Sequence, residues 1–192
     1  MSYVSETSAT TSPTAAAPAA PPEHGPAKAA SLPLRQRPFD IVFVVFFSIF
    51  FVTCLISDLI PTVGIAQTPD SSFLPAQWNY AYSSMNDPLF LHPPFWMRIV
   101  TGLSAFVYMP FYVLLVLAFI RRWNWIQLPA VIYATMIVAL TGIVVFGVEF
   151  FGEVEWRTPH PGVFLLYNGP YVLIPLLLLI RMRKPLPFAR RF

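Results

Sequence analysis

The sequence holds one cysteine, Cys54, which excludes an internal disulfide and a cysteine-based zinc site. Charge is scarce as well: 11% of the residues are Asp, Glu, Lys or Arg, where a soluble domain carries about 25%. The first apolar run begins only near residue 41 and no small-residue cleavage pattern follows it, so a cleaved signal peptide is not expected. Internal repeats are lacking too. In place of these features stands apolar bulk: 56% of the residues are hydrophobic and the mean hydropathy is +0.62.

Four stretches, residues 41–57, 99–120, 128–151 and 163–180, are long enough to cross a bilayer as helices, since roughly 17 to 20 apolar residues suffice. The first and last are near the lower limit, and the middle two have length to spare for tilt. The expected fold is an all-α membrane protein, a four-transmembrane-helix bundle with kinked helices. Lys28, Arg35, Arg37, Arg121, Arg122, Arg181, Arg183, Lys184, Arg190 and Arg191, ten of the twelve basic residues, fall on one side of it. Only Arg98 and Arg157 lie on the other. Positive flanks mark the cytosolic side, so both termini are expected there.

Three segments follow: a Pro/Ala/Ser/Thr-rich tail over 1–34, a membrane domain over 35–184, and a short basic tail over 185–192. The first has too little apolar surface to offset its ordering entropy and is expected to be disordered. The last is basic enough to lie on anionic headgroups. Trp123 and Trp125 beside Arg121 and Arg122 suit the headgroup level and make a very short link between spans two and three. The connection between spans one and two is long, roughly forty residues, and a loop of that length is usually functional or partly structured.

Charges inside spans are costly and each needs a reason. Asp40, beside Arg37, can cap the first span and favour its positive dipole end. Asp58 lies about 25 Å along that helix from residue 41, near the lumenal border. Thr53, Cys54, Ser57 and Asp58 share one arc there. Two readings are open: a carboxylate reaching for water, or one facing a cavity and ready for a cation or a hydroxyl. Glu149 lies at the matching depth of span three, on the same seven-residue repeat as Thr135 and Gly142. It is either interfacial with Glu153 and Glu155 or part of the same site. Gly142 would let a neighbouring helix approach closely.

Pro110, Pro170 and Pro175 cannot donate a backbone bond and kink their helices. The carbonyls they release at Phe106, Leu166 and Tyr171 must be satisfied by protein, water or a ligand. Tyr108 with Tyr112, and Tyr167 with Tyr171, flank these kinks as pairs four residues apart. An apolar cavity with a few polar handles is the usual form of a small-molecule site. The stretch MNDPLFLHPPFWMR, residues 85 to 98, reads as a stiff approach to span two, with Trp96 at the interface and Asp87 capping a turn before Pro88. A carboxylate held rigidly near Asp58 would matter electrostatically.

The segments WNYAYSSMNDPLFLHPPFWMRI, YMPFY, WIQLPAVIY and GPYVLIPLLLL, in that order, closely resemble the sigma-2 receptor family of the EXPERA superfamily of four-helix membrane proteins. The resemblance covers residues 38 to 182, and the proline- and alanine-rich extension is compatible with the fungal branch called efficient mitochondria targeting-associated protein. It implies an endoplasmic-reticulum protein with a lipid-accessible pocket, binding a sterol or cationic amphiphile, often as a homodimer. It places the family's ligand-pairing aspartate on Asp58 and its second aspartate on Asp87. Two such carboxylates raise one another's proton affinity, which a cationic ligand relieves. Where relatives carry a glutamate in span two and a histidine in span three, this chain has Ser104 and Met136.

A sterol isomerase of the superfamily needs an intramembrane acid and base. Spans two and three contain no histidine, and their carboxylate is Glu149 at the far end. The expected function is therefore non-enzymatic binding of a sterol-like lipid or amphiphile at the endoplasmic-reticulum membrane, assisting mitochondrial precursor targeting or sterol homeostasis. The alternatives are a sterol Δ8–Δ7 isomerase and a scaffold with a vestigial pocket. The candidate ligand-binding residues are Asp58, Asp87, Tyr108, Tyr171, Trp96 and Glu149. No catalytic residue, metal, cofactor or nucleic-acid partner is expected.

Overall fold

The computed structural model describes residues 33–188. The regular structure among these is entirely helical: α1 Pro38–Val63, α2 Leu74–Asn86, α3 Pro88–Leu91, α4 Phe95–Arg121, α5 Asn124–Phe151, α6 Pro161–Asn168 and α7 Pro170–Arg181. Helices α1, α4 and α5 are long and apolar enough to cross a membrane, and α6 with α7, bent by 46°, brings the number to four when the pair is counted as one broken span. Residues 1–32 and 189–192, and with them most of the tail expected to be disordered, lie outside the described residues.

Local chemistry sets the helix ends. Pro38 sits in the first turn of α1, where its missing N–H costs nothing. Gly64, at φ 76°, ends that helix in the left-handed conformation glycine tolerates best. The Ile65 N–H then donates to the Ile60 carbonyl at 3.0 Å. Arg122 closes α4 in the same way at φ 63°, with the Trp123 N–H on the Ala118 carbonyl.

Helix α1 packs along α4, and α5 along α7. An aromatic seam joins the two pairs. Phe47 stacks on Tyr112 at 5.8 Å and Phe50 on Tyr171 at 4.3 Å, while the Tyr133 hydroxyl donates to that of Tyr112 at 3.3 Å. Such ring pairs contribute about 1 kcal/mol each beyond their burial. Gly142 permits close approach as its sequence position suggests: a Cβ there would lie 3.1 Å from Val172 Cγ1 of α7.

All four spans are irregular where they border the same cavity. Cys54–Asp58, Ser104–Tyr108 and Val138–Val145 are π-helical turns, and the fourth span breaks between Asn168 and Pro170. A π turn inserts an extra residue and rotates everything beyond it. The seven-residue repeat of Thr135, Gly142 and Glu149 therefore does not define one face: Thr135 is exposed, whereas Glu149 is buried. The π turn of α4 also falls just before Pro110, where the regular bonding ladder would fail in any case.

At the arginine-rich end the structure corrects one expectation. Asp40 does not cap α1, whose N-cap is Arg37 with no side-chain bond. Its carboxylate is instead shared by Arg37 and Arg181. Arg37 also donates to the Phe119 carbonyl and Arg181 to that of Pro187. Both guanidinium groups lie over the ring of Phe188, which is 3% exposed. Asp40 thus ties the beginning of the bundle to its end. Asp40→Ala leaves two cations facing each other in a buried site and is expected to cost about 3 kcal/mol. Thermal unfolding in detergent measures this, with exposed Phe39→Ala as the variant expected to melt like the wild type.

Candidate functional site

At the opposite end, the breaks in the spans surround a cavity of about 340 Å³. Asp58, Asp87 and Tyr171 line it together with Thr53, Asn79 and Ser104. Asp58 stands at the end of the π turn of α1. Its Oδ2 accepts from Ser104 Oγ at 2.6 Å and from Cys54 Sγ at 3.1 Å. No cation pairs with it: the ion pairs among the described residues are both on Asp40.

The backbone around Asp58 is held by neighbours. Pro61 cannot donate to the Ser57 carbonyl, and Asn79 Nδ2 of α2 takes that place at 3.2 Å, while Ser57 Oγ donates back to Asn79 Oδ1 at 2.8 Å. Thr62 Oγ1 donates to the Asp58 carbonyl at 2.7 Å. Across the cavity the Tyr171 hydroxyl donates to Thr53 Oγ1.

Asp87 caps α3, accepting from the Phe90 N–H at 2.9 Å as the Asp-Pro sequence suggests. It is 6% exposed. Its carboxyl faces that of Glu149, which does not itself line the cavity. Burial pushes the Asp87 carboxyl above the ordinary carboxylate range, against the opposing influence of the facing Glu149 carboxyl and of the Phe90 N–H. Thr158 secures both backbones, its N–H donating to the Glu149 carbonyl at 3.1 Å and its Oγ1 to that of Asn86 at 2.7 Å.

Trp78 and Tyr167 border the cavity while 55% and 61% exposed, and so mark its mouth. Between them the Tyr82 and Tyr167 rings lie 5.0 Å apart, and Asn168 Nδ2 donates to the Tyr82 hydroxyl at 2.9 Å. Burial raises the Tyr82 phenol above its usual range.

Three of the six sequence candidates do not line this space: Glu149, behind Asp87, and also Tyr108 and Trp96. Tyr108 packs edge-on against Tyr133 at 5.2 Å with its hydroxyl buried and unpartnered. Trp96 packs beside Leu89 and Met97. Asn79 was not foreseen; the signal for it was Pro61, which leaves a carbonyl four residues earlier in need of a donor.

An all-helical bundle with three to four membrane-length spans and an acid-lined cavity near one end is the class these features define. Residues 73–182 match the family model EXPERA (EXPanded EBP superfamily), which is over half of the chain. The chain belongs to the EXPERA superfamily. It is also 29% identical over 106 residues to a Xenopus tropicalis protein, Sigma intracellular receptor 2. That match covers 52% of this chain and 62% of the relative, less than two thirds of its length.

The raised Asp87 carboxyl fixes the sign of one pH effect. In the unfolded chain the group titrates near about 3.9, whereas the folded protein keeps the proton to higher pH. The folded state therefore binds more protons between those values. The contribution to stability is fully present below the unfolded value and is lost as pH rises through the folded one. Asp87→Asn, which preserves the cap, is expected to flatten this part of the profile of melting temperature against pH. Superimposable wild-type and variant profiles would contradict it.

Proposed function

We propose that this protein is a non-enzymatic membrane receptor whose cavity takes a sterol-like lipid or an amphiphile bearing a basic amine. The observation that carries the reading is Asp58: a carboxylate on the wall of an otherwise largely apolar chamber, given two donors but no cation. A ligand ammonium supplies the missing charge, and the Tyr171 ring, which lines the cavity and is backed by Phe50, offers aromatic surface. The likeness to a sigma receptor supports a small-molecule ligand. In this reading the protein resides in the endoplasmic-reticulum membrane with both termini cytosolic. Homodimer formation and a part in mitochondrial precursor targeting or sterol homeostasis belong to the same reading, through the resemblance to the fungal branch.

Isomerase chemistry is the weaker alternative. Helices α4 and α5 contain no histidine to share a proton with an acid.

Saturable binding of a labelled cationic sterol analogue to the purified protein tests the reading. Losing a charge-assisted hydrogen bond of about 2 kcal/mol makes the expected loss for Asp58→Asn tenfold or more, while Tyr108→Phe, outside the cavity, binds normally. Equal affinity of the wild type and Asp58→Asn would sink the proposal. Expression in an isomerase-deficient strain is expected to leave sterol production unrestored, and restoration would favour the enzyme instead.

A further inference from the structure

Glu149 is 1% exposed, and neither of its carboxyl oxygens has a hydrogen-bond partner of good geometry; the nearby Thr158 N–H is directed to the Glu149 backbone carbonyl at 3.1 Å. The group it faces is the Asp87 carboxyl, which has no proton to offer when ionised and already accepts from the Phe90 N–H. Two buried carboxylates in contact repel, and the arrangement is satisfied when one proton lies between them.

No neighbouring cation removes the need for that proton. On α2 the facing titratable group is the Tyr82 phenol, itself occupied by Asn168 Nδ2, with the Tyr167 phenol of α6 beside it. On the link before α6, His160 Nδ1 is engaged with the Met85 carbonyl oxygen and Arg157 Nε donates to that of Gly152. Arg98 of α4 donates to the Pro93 carbonyl. Glu153 and Glu155 on that link are exposed. Thr158 holds the two backbones that carry these carboxyls close together.

We infer that Asp87 and Glu149 hold one shared proton in the empty cavity and release it when a cationic guest enters, so that guest uptake and proton release are a single event. The inference rests on the amphiphile reading above and assigns that site its regulation. In the step, the O–H bond of the shared proton breaks, its electron pair stays on the carboxyl oxygen, and the proton leaves to solvent through the mouth at Trp78 and Tyr167. The guest's positive charge replaces the proton's, so the charge of the chamber is conserved. Asp87 lines the same cavity as Asp58, which places the pair within reach of the guest's field. Affinity for a guest of fixed charge therefore rises with pH.

The test uses the full chain in detergent and a quaternary ammonium amphiphile, whose own charge does not change with pH. Wild-type affinity is expected to rise by about tenfold per pH unit, one proton released per guest, while the pair titrates. Glu149→Gln supplies an amide donor to Asp87 and removes the second acceptor of the shared proton, so its affinity is expected to change much less with pH. Infrared titration without guest is expected to show a protonated carboxyl band that persists above the ordinary carboxylate range. The band is expected to be missing from Glu149→Gln and from Asp87→Asn, the second variant guarding against misfolding of the first. Absence of the band in the wild type overturns the inference, as does wild-type binding independent of pH. Absence of wild-type binding at every pH overturns the amphiphile reading and the coupling with it.

Discussion

Inside a bilayer no water is available to a backbone carbonyl that loses its helical partner. This constraint organises the loop end of the molecule. Each span departs from regular α-helix where it borders the cavity, through three π turns and one break of 46°. The groups that accommodate these departures become the cavity wall. Asn79 is the clearest case: it takes over the carbonyl that Pro61 leaves at Ser57, and in doing so docks α2 across the first span. Without irregular helices there would be four packed rods and no chamber.

The same side-chain type serves opposite ends in different ways. Asp40 lies between two arginines and ties the beginning of the chain to its end. A buried carboxylate so matched is structural, because its charge is already answered. Asp58 has donors but no cation, and the Asp87–Glu149 pair has neither cation nor spare donor for Glu149. Unanswered charge in a low-dielectric setting is expensive, so it persists where something other than stability maintains it. The proposed binding site rests on this contrast between the two ends more than on any one residue.

Much of this was legible in the sequence. Apolar runs located three membrane-length helices and the bent pair that follows them, since length and hydropathy decide whether a helix can cross. Asp-Pro gave the cap at Asp87, a local matter of one side chain and one N–H. Gly142 marked the close approach of α7. What periodicity could not supply was the phase of residues beyond a π turn, which is why Thr135 and Glu149 seemed to share a face and do not. Tyr108 was misplaced for a related reason: it ends a π turn and is turned onto Tyr133 instead of the cavity. The clasp at Phe188 had no local signal, because a basic tail with one aromatic looks the same whether it floats or folds back.

The position of the acids then takes on meaning. At residue 104, where the resemblance sets a glutamate in relatives, this chain has a serine that donates to Asp58. The acid facing Asp87 comes instead from α5, as Glu149. In this chain Asp58 has a donor for a neighbour, and Asp87 has an acid behind the cavity wall. On the proposed reading, the guest-facing carboxylate and the proton-sharing pair are separate, one on α1 and the other joining α5 to the loop. In such an arrangement charge can enter the chamber at one place and a proton leave from another, which a single shared cluster would not allow.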